Sequence, residues 1–413
     1  MSRKNSVLII FIAILLMVGG LIYFYFSSGG DQDTTNVPSI TANPFGNVPG
    51  NIAVSTSTKT GDNDQTVDQV ISTTRLMQLY RNPTSGSVFF TNNNNENVIR
   101  FVDRAVGNVY EYIPEIKNGG VKRITNTTIP KIQEVVWSNS GSDLVFRYLD
   151  GDTDNISSFS GKIKTISTST DSFQELTGLF LPTNIKQLSV NPTGNKIFEL
   201  VDKSDKSGTY GFTTNLDGGG KKMIFESQIS YFNISWPKEN TVTLTTKPNY
   251  KDTGLLYFFN TQTYSVEKIL GNILGMSTLT NNDTSLVAYS YSTESSLAFN
   301  VYDVANKISK DILIKTLVDK CVWGSKNDKI LYCAIPKIIP LGNYPDDWYQ
   351  GLQSFSDNIW KIDTETGNIE LSYQIGVNEG DIDAFDFKIS LDDKYLSFSN
   401  KNDLSLWLLN IEE

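Results

Sequence analysis

The chain has 413 residues, with 45 Asp and Glu against 35 Lys and Arg and no histidine at all. A formal charge of −10 without clustered Lys and Arg sets aside a nucleic-acid footprint, which needs basic groups gathered against phosphates. Without histidine there is no Ser-His-Asp triad, no His-ligated zinc or copper and no His-ligated haem, while enzyme mechanisms that need only carboxylates remain open.

Arg3 and Lys4 precede residues 7–26, VLIIFIAILLMVGGLIYFYF, a stretch without a charge. As a helix it rises about 30 Å, the thickness of the bilayer hydrocarbon. The run closes on Tyr23, Phe24, Tyr25 and Phe26, suited to the outer interface, while Arg3 and Lys4 hold the amino end in the cytoplasm. It is longer than the apolar core of a signal peptide, and no A-x-A cleavage site follows it. The expectation is a single-pass cell-membrane anchor, with residues 1–6 cytoplasmic and everything after residue 26 extracytoplasmic. Residues 27–72 are Gly, Asp, Thr, Asn, Ser and Pro with isolated apolar residues such as Phe45 and Ile52, the composition of a flexible stalk.

Residues 73–413 read as all-β, rich in aromatic and β-branched residues and in turn formers. The organising unit is the hairpin at 135–146, VVWSNSGSDLVF: an apolar strand ending in Trp137, a turn of small residues closing on Gly141, and a returning strand. The figure recurs, with the strand before each turn ending at Val190, Trp236, Leu279, Trp323 and Ile389. Successive copies lie roughly 43 to 66 residues apart, the spacing of β-propeller blades. In chain order, 75–80 is a lone strand, 87–125 forms a first blade, and 132–175, 185–225, 229–269 and 275–314 form four more. The sixth carries an insertion and ends with 358–375. The seventh, 385–411, supplies three strands and lacks a fourth. The strand at 75–80 completes it and joins the two ends of the ring. Seven four-stranded blades are expected, with six or eight as alternatives because the first unit is the least regular.

The pattern Trp137 to Gly141, a returning apolar strand, and then Trp360, Asp363, Thr364, Thr366 and Gly367, echoed by Val301, Tyr302 and Asp303, resembles the TolB-like and WD40-like β-propellers of bacteria. It departs from them where Asn281 to Asp283 and Lys238 to Asn240 replace an Asp-Gly turn, and no Gly-His…Trp-Asp signature is present. The resemblance covers residues 75 to 413. It implies a propeller that binds proteins or peptides, as such family members mostly do, and it implies no catalytic residue and no cofactor.

Four groups of residues are candidates for function. The blade-six insertion, residues 335–357, breaks the strand pattern with prolines and holds Tyr344, Asp346, Asp347, Trp348, Tyr349 and Phe355. It is either a lid packed on its own propeller or a binding surface with Trp348 and Tyr349 as anchors. Asp150, Asp152 and Asp154 alternate as in calcium loops, but Asn155 and Gly161 stand where an EF-hand needs Gly and Glu, so a solvated turn is the competing reading. Cys321 and Cys333 flank the fifth hairpin and fall opposite each other, giving either a cross-strand disulfide or two small buried residues. Asp381, Asp383, Asp386, Asp392 and Asp393 crowd the last blade, and strand alternation would put Asp381 and Asp383 on one side, as a paired-acid glycosidase needs. Solvated turn and strand-end charge is the better reading of them. The reading these residues give is a membrane-anchored, non-catalytic interaction scaffold for protein or peptide partners. A carboxylate-dependent carbohydrate-active enzyme and a small-ligand or cation sensor are the alternatives.

Overall fold

The structure, a computed structural model, describes residues 75–412 except 118, 152–154, 165–172 and 295, together with the short strand Thr66–Val67. The apolar run 7–26 and most of the expected stalk lie outside the described residues. Among the described residues, no helix is long and apolar enough to cross a membrane.

Seven antiparallel sheets follow one another along the chain, each built on a meander of strands consecutive in sequence, with strands from ahead of the first blade added at the outer edges of the first and the last. Their first strands are Thr84–Thr91, Ile132–Trp137, Ile185–Val190, Phe232–Lys238, Ser277–Thr280, Cys321–Trp323 and Ala384–Ile389, and we number the blades 1 to 7 by them. These first strands surround a central channel. The second strand of each blade is pressed between neighbours on both faces. Asp143–Leu149 and Lys196–Asp202 accordingly bury five consecutive residues each, four of them apolar and one, Arg147 or Glu199, charged.

Closure follows the expected scheme. In blade 7, Leu76–Tyr80 pairs antiparallel with Leu406–Asn410 as the outermost strand, so a strand from ahead of the first blade completes the last one. One element was not anticipated: Thr66–Val67, placed by composition in the flexible stalk, pairs with Val121 and Lys122 as a fifth strand on blade 1. The polar residues around it hid a short edge pairing that backbone hydrogen bonds alone can supply.

The recurrent turns have a common task. On one face of the ring each hairpin bonds to the next. Arg100 donates to Gly141 O at 2.8 Å, Asn139 to Pro192 O at 2.9 Å, Asn191 to Glu239 at 3.0 Å, and Lys238 to Asp283 O at 3.3 Å. Asn281 then donates to Asp328 O at 3.3 Å, the Ser325 and Lys326 N–H groups to Asp393 at 2.7 and 3.1 Å, and Asn97 to Asp392 at 3.0 Å. The circuit closes. These bonds account for the Asn and Asp residues of the turns, including Asp392 and Asp393, whose carboxylates are engaged in holding blades 6, 7 and 1 together.

Gly141 is where the turn tolerates no side chain. Its φ is +67°, and a Cβ would lie 2.4 Å from a carbon of the Phe90 ring, which also carries the Arg100 guanidinium on its face. Gly141→Ala is expected to cost about 1–3 kcal/mol, from left-handed strain and overpacking together. Urea unfolding of the two proteins checks this, and a difference within ~0.5 kcal/mol, the range of an ordinary surface change, would refute it.

Candidate functional site

The blade-six insertion joins Ile330–Pro336 to Asp357–Asp363 on the face opposite the turn circuit. It folds around a one-turn helix, Asp346–Tyr349. Tyr344, Trp348 and Phe355 are 1%, 3% and 3% exposed and pack with Leu297 and Leu317. The insertion is also tied to the blades beneath it. The Tyr250 N–H donates to Asp346 at 2.7 Å from blade 4, Ser292 Oγ donates to Tyr344 O from blade 5, and Tyr349 OH donates to Asp319 at 3.0 Å ahead of blade 6. Asp347 accepts the Asn343 N–H at 2.7 Å and closes the loop on itself. Three of the six residues expected at a binding surface, Tyr344, Trp348 and Phe355, are therefore interior anchors, because their rings fill the space between insertion and propeller. Asp346 and Asp347 are half-buried and hold backbone N–H groups, while Tyr349 keeps 39% exposure.

Beneath Trp348 lies a charge cluster that sequence reasoning missed. Lys320, Asp357 and Asp383 are all fully buried. Lys320 Nζ is 2.8 Å from Asp357 Oδ2, is ion-paired with Asp383, and donates to Ala384 O at 2.9 Å. Asp383 also accepts the Trp348 indole N–H at 2.9 Å, the Phe355 N–H at 3.0 Å and Ser354 Oγ at 3.1 Å. Asp357 Oδ2 takes the Ala384 N–H at 2.7 Å, but its Oδ1 is buried without a partner. The indole and the Phe355 ring each lie 5.4 Å from the ammonium. Two carboxylates and one ammonium leave the cluster with an excess negative charge away from water. Burial pushes the Asp357 carboxyl up to about 6, with Asp383 adding to the rise and Lys320 opposing it.

The sign of the consequence follows from linkage. A carboxyl raised from 3.8 to about 6 binds its proton more tightly in the folded chain, so its contribution to stability is fully present below the ordinary value and is lost as pH rises through about 6. Asp357→Asn is expected to remove this component. The native protein should gain stability relative to the variant as pH falls from 7.5 to 4.5, and denaturant midpoints at those two values measure it. A constant difference would sink the assignment.

The remaining sequence candidates are dispersed. Asp381 stands exposed on a loop whereas Asp383 is buried, because the strand begins only at Ala384 and alternation does not reach back to either; no acid pair forms there. Asp152 and Asp154 lie outside the described residues, and Asp150 accepts a hydrogen bond from Ser157. Among the described residues, no group of three or more His, Cys, Asp or Glu is placed to hold a metal ion. Cys321 and Cys333 pair in register and are joined by a disulfide with an S–S distance of 2.08 Å. It ties the first strand of blade 6 to the second immediately after Lys320.

The central channel is open, with a cavity of about 820 Å³ lined mainly from blades 1, 2, 5, 6 and 7. Three carboxylates line it: Glu134, Asp319 and Asp386. Each has an intramolecular partner. Arg147 Nε stands 3.6 Å from Glu134, Lys388 Nζ 2.5 Å from Asp386, and the Tyr349 hydroxyl bonds Asp319. Desolvation by the channel wall raises the carboxyls of Glu134 and Asp319 above the usual range; Glu134 keeps half of its side chain exposed, and the nearby Asp386 adds to its rise while Arg147 opposes it.

This architecture has known counterparts. Oligogalacturonate lyase from Vibrio parahaemolyticus superposes with a TM-score of 0.52 at 10% identity, over 80% of this chain and 90% of that one. The tricorn protease gives 0.52 at 11% identity over 83% of this chain and 34% of its own. TolB from Acinetobacter baumannii gives 0.41 at 11% identity over 68% and 62%. The likeness is one of fold. No protein-family model matches the chain, and no curated protein matches it by sequence.

Proposed function

We propose that this chain is a membrane-tethered, extracytoplasmic propeller that recognises a protein or peptide and performs no chemistry on it. The observation that carries the reading is the state of the channel acids. Each of the three carboxylates lining the cavity is engaged within the chain, by Arg147, Lys388 or Tyr349, which supports recognition over carboxylate chemistry. Pinning of the insertion by Trp348 and the charge cluster supports a rigid presenting surface, and preorganised surfaces bind with the least ordering cost. Residues 7–26 would supply the tether and 27–72 its reach. A lyase and a protease share the fold, but a fold hosts many functions. The raised carboxyls of Glu134 and Asp319 are what a carboxylate enzyme would use, which keeps that alternative specific enough to test.

The test uses the full chain in its own membrane. A photo-crosslinking residue in place of Tyr349 or Gln133 is expected to capture a discrete polypeptide, and external protease is expected to reach the propeller in spheroplasts. Cleavage of oligouronates or peptides by the purified protein, abolished by Glu134→Gln or Asp319→Asn, would replace recognition with catalysis. A propeller protected from protease would overturn the topology alone.

A further inference from the structure

Blades 5 and 6 do not cover each other completely. The third strand of blade 6, Asp357–Asp363, has seven residues, while the outermost strand of blade 5, Ile308–Asp311, has four and the chain then turns away. The uncovered end of the blade-6 face leaves a groove of about 520 Å³, within the range of ligand pockets. Trp360 and Ile369 contribute to it from blade 6, Leu313 and Ile314 from the chain leaving blade 5, and Ile335 and Ile339 from the start of the insertion.

Two observations bear on what fills it. Among the described residues, the only charged ones lining the groove are Lys315 and Lys337, in a chain that carries ten more acids than bases. Lys337 Nζ donates to Ile375 O at 3.0 Å, and the Lys315 side chain has no hydrogen-bond or ion-pair partner among the described residues. The second is Leu313. It is 85% exposed and has φ +56°, a conformation that a β-carbon disfavours. Exposure and backbone strain both count against leucine here in the isolated chain, and glycine would remove both. A contact made with something outside the chain would account for it.

We propose that this groove binds a linear peptide that carries an apolar side chain beside acidic residues. The apolar side chain packs on Trp360 and under Leu313, an aromatic anchor of the kind that dominates interfaces, and the carboxylates meet Lys315 and Lys337. The proposal deepens the recognition reading and rests on it.

The probe is a random dodecapeptide library displayed on phage, panned against the full-length protein held in lipid nanodiscs. Enriched sequences are expected to combine Leu, Ile or Phe with adjacent Asp or Glu. A fluorescein-labelled peptide of the enriched class should bind at least tenfold more weakly to Leu313→Gly, without any fall in thermal midpoint, and at least tenfold more weakly to Lys315→Glu, with the difference shrinking in high salt. A basic or purely polar enriched class, or no enrichment, overturns the proposal. So does displacement of the peptide's role by laurate, if laurate saturates the groove and no peptide does. Peptide binding that survives both substitutions but is lost in Glu134→Gln moves recognition to the channel; the groove is then wrong and the recognition reading stands.

Discussion

Lys320→Met is expected to destabilise the propeller by about 3–5 kcal/mol near pH 8, the effect of removing one partner from a buried ion cluster. The methionine keeps most of the volume, so the loss is electrostatic: Asp357 and Asp383 are left facing each other, fully buried, without their paired ammonium and with only the more distant Lys401 still acting on Asp383. Both must then take up protons or draw in water. Because burial raises the Asp357 carboxyl to about 6, the loss should be smaller at pH 5, where its proton is in place, than at pH 8, where it is not. Adding Asp357→Asn and Asp383→Asn to the Lys320→Met variant should recover part of the loss, since neutral groups in the same space avoid the uncompensated charge. Denaturant unfolding of the three proteins at both pH values measures this. A deficit below ~1 kcal/mol at pH 8 would mean that water reaches the cluster, and the account of Asp357 would fall with it.

Trp348→Ala should cost a similar amount, about 3–5 kcal/mol, but in a different place. The indole is 3% exposed, fills the contact between helix and propeller, and gives Asp383 one of its donors. The blades have their own circuit of turn bonds on the other face, so the variant should release the insertion and leave the ring intact. Amide exchange in residues 337–356 is expected to accelerate by a hundredfold or more while the second strands of the blades keep their protection. Tyr349→Phe, which removes only a hydroxyl bonded to Asp319, should cost about 1 kcal/mol and serves as the contrast. Equal loss of protection in every blade would show that the insertion and ring unfold as one unit.

The two regions differ in how much of them could be read from residues alone. The ring was legible because each blade repeats the same local chemistry, an apolar strand, a polar turn and an apolar return, and local chemistry is written consecutively. Cys321 and Cys333 were legible for the same reason, as the hairpin between them sets their register. The charge cluster is assembled from residues 63 positions apart, and nothing about a lysine in sequence distinguishes a buried one from a solvated one. A faint signal exists: Lys320, Asp357 and Asp383 all sit at or next to the first residue of a strand in the two blades flanking the insertion. The aromatics of the insertion were noticed correctly, but hydrophobicity alone does not say whether a ring faces a partner or the chain's own interior. Leu313 carried no signal, because its positive φ is visible only in the backbone.

The closure of blade 7 sets a schedule for the ribosome. Arg75 donates to Asn410 across 335 residues, so the first strand of the ring to be synthesised has no partner until the last one arrives. At ~5–20 residues per second that interval is roughly 20 to 60 s. Throughout it, Leu76–Tyr80 is an unpaired strand on a nascent chain whose other blades are already forming, and an unpaired strand is open to any neighbouring edge. The same pairing that gives the finished ring no loose end thus makes its beginning the part most in need of shelter during biosynthesis.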